Sequence, residues 1–146
     1  MSKPLDYLTA NESAVIPSRR LRIYFASRIS HAKIARKLLA EWPEFTFTSR
    51  WPQCHVGKVP DQANFAKTFW LHDAEDVAGC DVVLCYGEPG DTLRGALVEV
   101  GMAIALGRAV VVVGECESYG TWQHHPLVHR AGDLREARVL LRTMAL

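Results

Sequence analysis

Gly95-Ala-Leu-Val-Glu-Val-Gly-Met-Ala-Ile-Ala-Leu-Gly107, followed at once by Arg108-Ala-Val-Val-Val-Val113, is the stretch whose reading decides the fold. Its first part predicts a helix over residues 96–106, closed by Gly107 as a C-terminal cap. Ala109 to Val113 is the most strand-like run in the chain. Glu99, Gly101, Gly107 and Arg108 interrupt the apolar stretch, whereas a transmembrane helix needs about 20 largely apolar residues. The reading is therefore helix, turn and strand. Asp81-Val-Val-Leu-Cys85 is a second continuous apolar strand. Strands of this kind are buried on both faces, as in a parallel sheet sandwiched between helices.

Working outward, Leu21-Arg-Ile-Tyr-Phe-Ala26 reads as a strand and Ser27-Arg-Ile-Ser30 as a turn. Ile34, Ala35, Leu38, Leu39 and Trp42 then recur at helical spacing. Phe45 to Thr48 alternates like a strand, and residues 49–61, with Pro52, Gly57 and Pro60, form a long loop of the kind that often carries function. Residues 64–78 predict a helix, 87–92 a turn-rich loop, 114–126 a polar and aromatic loop, and 127–130 a short strand. Asp133 is placed to cap a last helix reaching Met144. Strands alternating with helices imply βαβ crossovers and a parallel α/β sheet. Residues 1–20 lack periodicity and read as an N-terminal arm, leaving 21–146 as one domain.

With 146 residues and 49% hydrophobic content, the chain can bury a core without disulfides or metals. Lys and Arg (17) nearly balance Asp and Glu (16), so neither a nucleic-acid polymer nor a membrane surface is the expected partner. A small molecule is. The four cysteines form no CxxC pair, and the chain starts without a basic segment leading into an apolar signal core; a reducing cytoplasm is expected.

Ligands of open parallel sheets lie beyond the carboxyl ends of the strands. That edge collects residues 27–30, 49–51, 86–94 and 114–125. Glu99 is the only charged side chain between Gly95 and Gly107, and a buried carboxylate needs a partner or a purpose. Two readings stay open: a structural carboxylate held by first-turn amides or Arg94, or a functional group with space around it from Gly95, Ala96 and Gly101. Asp73 and Asp76, in His72-Asp-Ala-Glu-Asp76, are either a solvated helix face or the source of a second carboxylate. Ser27-Arg28-Ile-Ser30-His31 can cap a helix or hold a phosphate or ribose hydroxyl. Trp51 and Trp122 can stack on a base or cover the core. Cys54, His55, His124, His125 and His129 match no common zinc spacing, and no metal or other cofactor is expected. Gly-x-Ser-x-Gly is absent.

Taken together, Leu21 to Ser27, His72 to Leu84 and Arg94 to Val111 resemble the nucleoside 2-deoxyribosyltransferase superfamily, over about residues 21 to 142. The most specific element is Glu99-Val-Gly101-Met-Ala103 followed by Gly107, Arg108 and a β-run, and the second is Asp73, eight residues before Asp81. The resemblance implies a flavodoxin-like or Rossmann-like three-layer α/β sandwich with a parallel sheet of about five strands. It implies Glu99 as the nucleophile attacking an anomeric carbon, with Asp73 near the base. The glycosyl group would pass to another base, as in the transferases, or to water, as in the nucleoside 5′-monophosphate N-glycosidases.

About six residues before the nucleophile, the transferases tend to have an Asp and the deoxynucleotide glycosidases a Ser; here it is Leu93. Asp91 could replace it in a longer loop, while Arg28 and Arg94 favour a phosphate. Expected substrate-binding residues are thus Ser27, Arg28, Arg50, Trp51, Asp91, Gly95, Trp122 and His125. Sites of the superfamily are commonly completed by a neighbouring subunit, so a homo-oligomer is expected, with residues 122–125 as the contributed segment. A non-catalytic nucleotide-binding sensor and a metal-dependent hydrolase built on the histidines are the competing readings.

Overall fold

The structure is a computed structural model that describes residues 19–54 and 62–145. The strands are β1 (Arg22–Ala26), β2 (Thr46–Phe47), β3 (Val82–Tyr86), β4 (Ala109–Val113) and β5 (Val128–Ala131). The helices are α1 (Ala32–Glu41), α2 (Gln62–Ala78), α3 (Gly95–Ala105) and α4 (Leu134–Met144). Short 3-10 turns cover Ile29–His31, Trp51–Gln53 and Thr121–His124.

The five strands form one sheet in the order β2-β1-β3-β4-β5, and every pairing is parallel. This is the flavodoxin-like α/β arrangement, and the expected fold class is met. Ile23 through Ala26, Val82 through Cys85 and Val110 through Val113 are buried throughout, as strands covered on both faces must be. Helix α2 lies against α3, and α3 against β1, β3 and β4. At the other end of the chain, α4 covers β4 and β5 and sends Arg138 to Glu44 (2.9 Å) and over the Trp42 ring at the end of α1. Asp133 caps α4 by accepting from the Glu136 amide at 2.8 Å, and Glu136 accepts in return from the Gly132 amide at 2.7 Å.

Chain order reverses between β1 and β3. Moving from β1 to β2 carries the chain one way along the sheet, and β3 to β5 the other, so the loops after β1 and β3 part there and leave a crevice.

Several expectations are refined. β2 is two residues long, pairing with β1 at Thr46 and Phe47 on one edge of the sheet, and Phe45 packs into the core against Trp42. Helix α2 begins at Gln62, two residues before the expected start, so Asp73 lies well beyond its first turns. Helix α3 begins at Gly95 and ends with Gly107 at φ +72°, the left-handed conformation that suits a glycine after a helix. It is not buried all round: Ala96, Glu99, Val100 and Ala103 face inward, while Val98 and Leu106 are exposed. Residues 1–18 of the expected arm and 55–61 of the long loop lie outside the described residues. Arg19 is tied to the sheet by two hydrogen bonds of 2.8 Å to Asp81 at the start of β3.

Candidate active site

A cavity of about 450 Å³ opens at the β1/β3 crevice, the size range of small-molecule sites. Its floor is acidic. Asp73 from α2 is 4% exposed and Glu99 from α3 is 5% exposed, and both line the cavity. One face of α2 supplies the wall: Phe65, Phe69 and Asp73 are spaced four apart, with Ala66 and Trp70 alongside. The Trp70 ring lies over Gly95, where a Cβ would meet it at 3.3 Å, so the glycine lets the aromatic approach the start of α3. Ser27, Arg28, Ile29 and Ser30 after β1, and Thr92 and Arg94 before α3, complete the lining with Trp51, Gly95 and Ala96.

Tyr24 links the two acids. It is fully buried in β1, its hydroxyl donates to Glu99 Oε2, and it also interacts with the Asp73 carboxylate. Burial pushes the Glu99 carboxyl up to about 8; the Asp73 charge adds to the rise and the Tyr24 hydrogen bond opposes it. Burial, then the Asp76 charge, raises Asp73 to about 6, against the pull of Tyr24, His72 and Arg50. Between these values the pair holds one proton. Such a pair can supply a carboxylate and a carboxylic acid to one substrate.

No protein-family model matches the chain, and no curated protein matches it. Solved structures do. The 2-deoxyribosyltransferase of Bacillus psychrosaccharolyticus superposes with a TM-score of 0.63 at 16% identity, covering 82% of this chain and 95% of that one. The CMP N-glycosidase of Clostridium botulinum gives 0.51 at 19% identity, over 84% and 98% of the two chains. A conserved protein of Enterococcus faecalis V583 gives 0.53 at 18% identity, over 86% and 88%. The chain has the nucleoside 2-deoxyribosyltransferase-like fold. The resemblance carried by residues 21–27, 72–84 and 94–111 is met at that level.

Set in this fold, the expected site residues divide. Glu99, Asp73, Ser27, Arg28, Trp51 and Gly95 come together in the cavity. Glu99 does so for a different reason from the one expected. It is the fifth residue of α3, past the free amides, and its carboxylate meets Tyr24 rather than those amides or Arg94. Gly101 is exposed, with open space where a Cβ would stand. Trp51 covers the core, with Nε1 donating to the Phe25 carbonyl at 2.6 Å and the ring stacked on Phe25, and it also lines the cavity. The Ser27 hydroxyl donates to the Tyr86 carbonyl at 2.6 Å.

The other four do not line the cavity. Arg50 clamps Asp76, with Nη2 2.7 Å from Oδ1 and its own amide donating to Oδ2 at 3.1 Å. That leaves Asp76 out of the cavity and behind Asp73. Asp91 binds Arg28 and His31 instead of facing the floor. Trp122 packs edge-on against Tyr119, and His125 accepts from the Leu127 amide at 3.0 Å through Nδ1. Leu93 is 3% exposed in the core, so its position offers no side chain to a ligand.

Tyr24, Phe65, Phe69, Trp70 and Arg94 enter the site although Tyr24 and the α2 aromatics were not among the expected residues. Among the described residues, His31, Glu88 and Asp91 lie close enough to share a cation, but the Arg28 guanidinium already occupies Asp91 Oδ1, which disfavours a metal there. His55, part of the zinc reading, lies outside the described residues. Among the described residues no helix is long and apolar enough to cross a membrane.

Proposed function

We propose that this chain is an enzyme that cleaves the N-glycosidic bond of a nucleoside or nucleotide, with Glu99 as nucleophile and Asp73 as the acid that serves the leaving base. The observation that carries this reading is the pair of buried carboxyl groups, joined through Tyr24, at the floor of one aromatic-walled cavity. The shared fold with a 2-deoxyribosyltransferase and a CMP N-glycosidase supports it.

The Glu99 carboxylate attacks the anomeric carbon as the C–N bond breaks, and the bonding electrons leave on the base nitrogen. At rest the pair's single proton lies on Glu99, the group with the higher pKa; the reaction runs through the minor form in which that proton has moved to Asp73, which passes it to the nitrogen as the Glu99 carboxylate attacks. Tyr24 donates to the Glu99 oxygen, keeping one carboxylate oxygen fixed while the other attacks. The base lies against Phe65, Phe69 and Trp70, whose faces suit a flat heterocycle. The glycosyl-enzyme then transfers to a second base or to water, with Asp73 now accepting a proton.

In the homo-oligomer that the resemblance implies, Leu71 and Val98, exposed on α2 and α3 beside the cavity, would be covered, and residues 122–125 would serve a neighbour's site. Nucleosides and 5′-monophosphates, ribo and deoxy, incubated with and without an acceptor base and resolved by chromatography, test the proposal. Free base without acceptor means hydrolysis, and a new nucleoside only with acceptor means transfer. Tight nucleotide binding with no base formed over long incubation would instead make the chain a nucleotide sensor.

A further inference from the structure

Asp76 is a buried charge that the reaction above does not use. It is 8% exposed, follows Asp73 by one turn of α2, and does not line the cavity. Arg50, from the loop after β2, takes both of its oxygens. Nη2 meets Oδ1 at 2.7 Å, Nε lies 2.9 Å from Oδ1 and 3.0 Å from Oδ2, and the Arg50 amide donates to Oδ2 at 3.1 Å. The guanidinium is itself half-exposed and reaches on to the exposed Glu75 at 3.6 Å. Burying a carboxylate is costly even beside an arginine, and an apolar side chain would avoid that cost. The loop has a second tie to α2 that does not involve the carboxylate: the Thr48 hydroxyl donates to the Asp76 carbonyl at 3.0 Å.

The place of this ion pair, directly behind the acid pair, gives it a role. Residues three apart on a helix have Cβ atoms about 5–6 Å apart, so the Asp76 charge bears on Asp73 at short range. After burial it is the largest influence holding the Asp73 carboxyl up. The influences on Glu99 are burial, the Tyr24 hydrogen bond and the Asp73 charge. Asp73 is thus faced by Asp76 and His72 from its own helix, Tyr24 from β1, Glu99 from α3 and Arg50 from the loop after β2, with Arg28 and Arg94 in the same cavity lining. An anion behind one of two acids that share a proton draws the proton towards that acid. We propose that Asp76 and Arg50 are positioning residues for Asp73: the Asp76 charge increases the share of the proton that sits on Asp73, the form from which the base is protonated, while Arg50 fixes that charge in place and limits its pull. This rests on the assignment of Glu99 and Asp73 above.

The two halves of one ion pair then act in opposite directions. Asp76→Asn keeps the shape and removes the anion, so the acid limb of the kcat/KM profile is expected to move down by about half a pH unit or more, and the plateau to fall about threefold or more. Arg50→Gln removes the cation, and the acid limb is expected to move up. Arg50→Lys keeps the charge and is expected to restore most of that shift. The basic limb is expected to stay in place throughout, because Asp73 is ionised both in the resting form and in the form without a proton, and the Asp76 charge enters each equally. A purely structural tie predicts otherwise: loosening it from either side would admit water to the floor and lower both limbs in both variants. Should Arg50→Gln leave Asp76 unpaired and the chain unfolded, the double variant Asp76→Asn/Arg50→Gln carries neither charge, and its acid limb is expected above that of Asp76→Asn. An acid limb that fails to fall in Asp76→Asn, or fails to rise when Arg50 is removed, would overturn the proposal.

Direct titration separates this proposal from the assignment it rests on. Followed by carbon NMR without substrate, the Asp73 carboxyl is expected to titrate about half a pH unit or more lower in Asp76→Asn, and higher in Arg50→Gln. If those shifts appear but no nucleoside or nucleotide releases base, the linkage stands and the glycosidic reading falls. If base is released and the Asp73 titration does not move, the linkage falls and the glycosidic reading stands.

Discussion

Replacing Glu99 by Gln removes a carboxyl group that burial has made reluctant to ionise, and the consequence for stability has a definite sign. Unfolded, the group titrates near the ordinary glutamate value of 4.5; in the folded chain it is pushed up to about 8. Between those values the folded state holds more protons than the unfolded state, so wild-type stability falls as pH rises through this window. Below 4.5 the contribution is fully present, and above about 8 it is lost. At 1.36 kcal/mol per pH unit the ceiling is roughly 5 kcal/mol. Water drawn into the cavity lowers that figure, and an effect of about 2 kcal/mol or more is expected to survive. For a chain of this size that corresponds to about 6 °C or more in Tm.

Gln keeps the shape and does not titrate, while Asp73 titrates in both chains and largely drops out of the difference. Thermal unfolding followed by circular dichroism from about pH 4.5 to about pH 9 measures the effect. The Tm of Glu99→Gln minus that of wild type is expected to grow steadily from the acid end and to level off above about pH 8. A difference that stays flat across the range, or one in which wild type gains on the variant, would refute the reasoning that Glu99 is held protonated by burial.

Other expectations concern rate and local structure. The pH profile of kcat/KM is expected to be bell-shaped, with limbs near 6 and 8: below the first the pair carries two protons and lacks a nucleophile, above the second it lacks an acid. A monotonic profile across that range would contradict the shared proton. Tyr24→Phe removes the donor to Glu99, so turnover is expected to fall by about tenfold or more and the basic limb to move up in pH, as steady-state kinetics would record. Asp133→Ala loses the cap of α4 and is expected to cost about 1 kcal/mol in urea unfolding with no change in kcat.

Much of the fold was legible because it depends on patterns that survive in one dimension. Val82–Cys85 and Ala109–Val113 are apolar without alternation, which only a doubly covered sheet explains, and Gly107 marks the end of α3 directly. Glu99 stood out as one charge in an apolar helix. Tyr24 did not, because a tyrosine inside a buried strand looks like any other core aromatic until α3 places a carboxylate beside its hydroxyl from 75 residues away. Phe65 and Phe69 share a face with Asp73 at four-residue spacing, a signal present in the sequence and readable once Asp73 is taken as a site residue.

Loop residues were the least legible. Arg50 and Asp91 sit at the right edge of the sheet, but each meets an opposite charge from another element, Asp76 and Arg28 respectively, and turns away from the floor. Sequence places a loop at an edge; it does not say which way a charged side chain will find its partner. Trp122 was placed at the site by its position after β4, whereas its ring packs edge-on against Tyr119 and does not line this chain's own cavity.

The nucleophile assignment of Glu99 is tested most directly by catching the glycosyl group on it. Wild type mixed with a cleavable nucleoside or nucleotide, quenched in acid and read by intact-protein and peptide mass spectrometry, is expected to gain the mass of one glycosyl group on the peptide that contains Glu99. Glu99→Gln is expected to gain nothing and to release no base. Base release by Glu99→Gln at the wild-type rate, or an adduct on a different residue, would contradict the assignment.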